Sequence, residues 1–81
     1  MKYRKKPVVI EAVQYTGDFA GRQALRKFCS VVDNAPNGDL CIDTLEGIMT
    51  ISPNDWLIKG TRGEFYPCKP DVFSDVYEFV D

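Results

Sequence analysis

The chain has 81 residues, 44% of them hydrophobic and 27% charged, with a formal net charge of −2. That balance belongs to a folded domain and excludes a disordered tail, and no apolar run approaches the roughly 18 residues that span a bilayer. The absence of histidine removes Ser-His and Cys-His nucleophile pairs, imidazole general bases and His-containing zinc sites.

The N-terminal run Met1-Lys2-Tyr3-Arg4-Lys5-Lys6-Pro7 holds four of the ten cationic side chains, ahead of all twelve acidic ones. A basic head on an acidic body argues against a nucleic-acid-binding face, which needs cations spread over one surface. The head reads instead as a solvated terminus that protects a sheet edge. It also resembles the start of a signal peptide, but Glu11 interrupts the apolar core a signal needs, so the expectation is a cytoplasmic protein. Three widely spaced cysteines, Cys29, Cys41 and Cys68, fit reduced thiols better than a disulfide framework.

Val8 to Tyr15 is rich in β-branched residues and alternates, which predicts a strand. From Phe19 to Cys29 the apolar residues Ala20, Ala24, Leu25, Phe28 and Cys29 take helical spacing, with Asp18 as N-cap (Thr16 is the alternative) and Arg26 and Lys27 in the last turn. Residues 33–39 read as a loop with a strong Asn37-Gly38 turn signal. Strands over 40–45 and 48–51 flank Glu46-Gly47 as a hairpin turn. Ser52-Pro53-Asn54-Asp55 forms a second turn, and strands over 56–59 and 64–66 flank Gly60-Thr61-Arg62-Gly63. Pro67 removes a backbone donor and takes the chain out of any central ladder. Pro70 opens a short helical turn over 71–74, and the alternation of 76–80 predicts a last strand that closes the sheet. The predicted order is β-α-β-β-β-β-β in a single domain, 1–81. Its connections are too short for crossovers, so the fold class is α+β: a mostly antiparallel, curved sheet or partly open barrel with one covering α-helix. A chain this short buries only about 60% of the surface its unfolded form exposes, which leaves a homo-oligomer open as a source of further burial.

No catalytic constellation, metal site or cofactor fingerprint is present, so no catalytic residue, metal or cofactor is assigned. Glu11, Glu46 and Glu64 lie on or beside strands and read as solvent-facing charges. Cys68, beside Lys69, is the best thiol candidate for reactivity, against a packing role typical of cysteine. Phe65, Phe73 and Phe79 are expected in the core. Trp56 and Tyr66 carry polar handles suited to the edge of a pocket, and with Lys59, Arg62 and Lys69 they form the candidate binding set, in which aromatics stack and cations clamp an anionic ligand.

Four motifs carry a resemblance: Tyr3-Arg4-Lys5-Lys6-Pro7-Val8-Val9-Ile10-Glu11-Ala12; Thr44-Leu45-Glu46-Gly47; Asp55-Trp56-Leu57-Ile58-Lys59-Gly60; and Gly63-Glu64-Phe65-Tyr66-Pro67-Cys68-Lys69-Pro70-Asp71. Together they resemble a widespread family of small phage and prophage proteins. That family carries no established activity, and Asn54-Asp55 departs from its usual Gly-Asp turn. The resemblance implies a phage-encoded accessory protein in the cytoplasm of an infected bacterium. The leading expectation is a non-enzymatic binding protein that engages or inhibits a host protein. A binder that sequesters a small anionic, nucleotide-like ligand at a subunit interface is the alternative, and a carboxylate- and metal-dependent hydrolase the second. Neither a membrane nor a nucleic-acid partner is expected.

Overall fold

The computed structural model describes residues 1–4 and 6–80; Lys5 of the basic head and Asp81 lie outside them. The fold is α+β. It has two three-stranded antiparallel sheets and two helices, and the sheets do not close into a barrel. The elements are β1 (Glu11–Gln14), α1 (Phe19–Phe28), β2 (Asp33–Asn34), β3 (Leu40–Thr44), β4 (Gly47–Ile51), β5 (Trp56–Lys59), β6 (Phe65–Cys68) and α2 (Pro70–Val76). One sheet has the order β1-β5-β6, the other β2-β3-β4.

Each connection follows from its residues. Asp18 caps α1 as its sequence position predicts, its Oδ1 accepting from the Gly21 N–H at 2.7 Å and from the Thr16 hydroxyl at 2.6 Å. Pro53 and Asn54 occupy the centre of the Ser52–Asp55 turn, with Asn54 at φ +76°, and the Asp55 N–H closes it on the Ser52 carbonyl at 3.0 Å. The same turn docks on β1: the Tyr15 N–H donates to the Asp55 carbonyl and the Asn54 N–H to the Tyr15 carbonyl. Tyr15 is thereby buried at the junction of the sheets.

The β3–β4 hairpin forms one residue earlier than expected. Thr44 pairs with Gly47, so the loop is Leu45-Glu46 and Gly47 opens β4 at φ +101°. The Thr44 hydroxyl sets this register by accepting from the Glu46 N–H at 3.1 Å and donating to the Gly47 carbonyl at 2.8 Å. Pro67 also departs from expectation. It stays in the ladder opposite Leu57, because β6 is an edge strand and can spare a donor. The last strand is absent: helix continues from Pro70 to Val76, and residues 77–80 pair with no strand. Alternation in Val76–Val80 was a weaker determinant than Pro70 at the first helical position.

Core residues come from both sheets and α1. Leu25 and Cys29 meet Leu40, Ile42 and Ile51 of the second sheet and Leu57 of the first, with Phe28 and Phe65 packed against the cluster. The Phe28 and Phe65 rings meet edge to face at 5.6 Å. Ile58 points to the opposite face of its sheet and is fully buried outside this cluster. Phe65 and Phe73 are half-buried, whereas Phe79 is 91% exposed and takes no part in the core, since the strand that would have turned it inward does not form.

Candidate functional site

Strand register divides the candidate binding residues. Trp56 lies opposite Cys68 and Gln14, and Ile58 opposite Tyr66 and Ala12, so these side chains share the sheet face away from the main core. Lys59 is three residues from Trp56 and therefore emerges on the other face, where its Nζ stands 6.0 Å from the centre of the Phe65 ring. Arg62 belongs to the β5–β6 loop, exposed, with its backbone N–H held by Glu64 Oε2 at 3.1 Å. Lys69 turns to the buried Asp55 carboxylate, with Nζ at 3.0 and 3.3 Å from its two oxygens. The Ser52 N–H donates to the same carboxylate at 2.9 Å. Trp56 and Tyr66 are thus brought together on one face, while Lys59, Arg62 and Lys69 are dispersed.

Helix α2 covers that aromatic face. Phe73 stacks on Trp56 with ring centres 4.1 Å apart and planes 6° from parallel, and Tyr77 tilts against Phe73 at 5.1 Å. The Tyr77 and Tyr66 hydroxyls stand 3.5 Å apart. This contact, which favours the neutral phenol, combines with burial to push the Tyr66 pKa up to about 12. Burial, and then the negative charges of Asp55 and Asp71, raise the Cys68 thiol above its ordinary value, the reverse of the activation by Lys69 that chain proximity suggested.

Two concavities flank these elements. The first, about 660 Å³, lies between the N-terminal arm (6–10) and the end of α2 with its tail, over a floor containing Ala12, Trp56 and Phe73. The second, about 340 Å³, lies between the β3–β4 hairpin tip and β6. Leu45, Met49, Phe65, Tyr66 and Pro67 line it, and Glu46 and Glu64 border it. Leu45 is 98% exposed and Ile48 78% exposed, so the hairpin tip projects apolar side chains into solvent. Turn positions normally draw Gly, Asn, Asp or Pro, so a leucine there is a departure from turn chemistry that the sequence already displays. Among the described residues no group of three or more acidic or cysteine side chains gathers as a metal site would require, and no helix is long and apolar enough to cross a membrane. No family model, curated protein or solved structure matches the chain.

Proposed function

We propose that the protein is a phage-encoded accessory protein that works by binding, without enzymatic chemistry, in the cytoplasm of an infected bacterium, and that it engages a host polypeptide through the hairpin tip and the recess beside it. The observation that carries this reading is the exposed Leu45 on the lip of an apolar recess of about 340 Å³, with Ile48 exposed on the other face of the same hairpin. Covering exposed apolar groups so placed is favourable because it removes their surface from water. Pro67 fixes its own φ, and the Thr44 side chain clamps the turn, so docking costs little ordering entropy. Glu46 and Glu64 at the border favour a partner whose apolar anchor is flanked by cationic groups.

The anionic-ligand alternative has less support, because Lys69 is engaged by Asp55 and Lys59 sits on the far face. The test is the double variant Leu45→Asp, Ile48→Asp. Purified under native conditions from infected cells, the tagged wild-type protein should retain a host polypeptide at fixed stoichiometry by native mass spectrometry. The variant should lose it by a factor of ten or more, the effect of removing on the order of 1.4 kcal/mol of binding. Undiminished retention by the variant, or a small anion retained in place of a polypeptide, would overturn the reading.

A further inference from the structure

The larger groove carries one cation, Lys6, on the side of the N-terminal arm and one anion, Glu78, on the side of the α2 tail. Its first wall continues the N-terminal arm, where Lys2, Arg4, Lys5 and Lys6 come with no acidic residue; beyond Lys69 the chain carries Asp71, Asp75, Glu78 and Asp81 with no cation. Lys6 and Glu78 both line the groove, yet among the described residues the only ion pair is Lys69–Asp55. Val8, Val9, Val76, Phe79 and Val80 are all about half or more exposed along the same walls. Among the described residues, 6–10 and 78–80 take no backbone hydrogen-bond partner, so apart from the missing N–H of Pro7 their donors and acceptors are open to another chain. The radius of gyration is 13.3 Å, above the roughly 12 Å of a compact chain of this length, as projecting arms require.

We infer that the occupant of this groove is a second copy of the chain: two protomers exchange arms about a two-fold axis, the basic arm of each lying along the acidic α2 and tail of the other. A two-fold contact must be self-complementary, and a surface with a cationic strip on one side and an acidic strip on the other meets that condition when rotated onto itself. Length permits it. Six extended residues reach about 20 Å, enough to pass the seven-residue α2, about 10 Å long. Val8 and Val9 then cover the exposed Val76 and Phe79 of the other protomer, and the free backbone groups of the arm gain partners by strand addition. This assembly uses a different surface from the hairpin recess and needs no host component.

Purified protein alone tests it. Native mass spectrometry and sedimentation at about 100 µM, which detect dissociation constants up to that order, should give twice the chain mass, and added salt should shift the protein toward monomer. Reversing the arm (Arg4→Glu, Lys6→Glu) or the tail (Asp75→Lys, Glu78→Lys) should each weaken the dimer at least tenfold. All four positions are exposed, so an unchanged circular dichroism spectrum confirms that folding is intact. A 1:1 mixture of the two reversed proteins should form the heterodimer, because each arm again meets a tail of opposite sign. A monomeric wild type, a dimer indifferent to both reversals, or a mixture that stays monomeric would each overturn the inference.

Discussion

At the scale of single residues, environment rather than sequence neighbourhood decides chemical character. Lys69 adjoins Cys68 in the chain, but its ammonium is drawn to Asp55, and the thiol responds to burial and to the carboxylates around it. Tyr66 is the clearest reporter. Its raised pKa rests first on the Tyr77 hydroxyl and then on burial. A raised phenol contributes stability in full below the unfolded value of about 10, and that contribution is lost as pH rises toward 12. Titration of the tyrosinate absorbance should therefore show one phenol ionising near 12. Tyr77→Phe should bring it down toward the ordinary value, whereas an unchanged titration in that variant would remove Tyr77 as the cause. Asp18 behaves in the opposite sense: the Thr16 hydroxyl and the Gly21 N–H lower its pKa, so its capping contribution is lost only as pH falls through that lowered value.

Among the elements, those with local determinants were legible in the sequence and those held by tertiary contact were not. Asp18, Pro53-Asn54 and the β-branched run before Tyr15 declare a cap, a turn and a strand, although only 11–14 of that run find a partner, since β5 ends at Lys59 opposite Glu11. The two-residue β2 reads as loop in the sequence because nothing in Asp33-Asn34 favours a strand; it pairs with Cys41 and Leu40, while Arg26 donates to the Asn34 side chain at 2.9 Å. The candidate site was half legible. Trp56 and Tyr66 share a face by register, but dispersal of the three cations depends on a loop and on the buried Asp55, which chain order does not reveal. Nor was the partner of Trp56 visible, because Phe73 reaches it only once Pro70 has started α2. That helix has seven residues, none of them fully buried, too few to persist alone. Its stability must come from the Trp56–Phe73–Tyr77 stack. Phe73→Ala should cost about 1–3 kcal/mol, red-shift the Trp56 emission and release α2 while the main core survives. A denaturation midpoint and emission equal to wild type would show that α2 stands without the stack.

For the whole molecule, the main core under α1 and the smaller aromatic cluster under α2 cover opposite faces of the β1-β5-β6 sheet, and two of the apolar surfaces left exposed border concavities. One is the hairpin tip; the other is the groove between the basic arm and the acidic tail. A domain of this size has little interior from which to build an enclosed pocket, and surfaces of this kind mark contacts with other chains. Assigning the hairpin to a host polypeptide and the groove to a second copy gives each a distinct neighbour. The most direct measurement places a photo-crosslinking amino acid at Leu45 in one variant and at Val9 in another, irradiates infected cells, and identifies the adducts by mass spectrometry. The expected result is a host polypeptide joined at position 45 and a second copy of this chain joined at position 9. A hairpin tip that joins nothing, or only copies of itself, would contradict the binding function proposed for it.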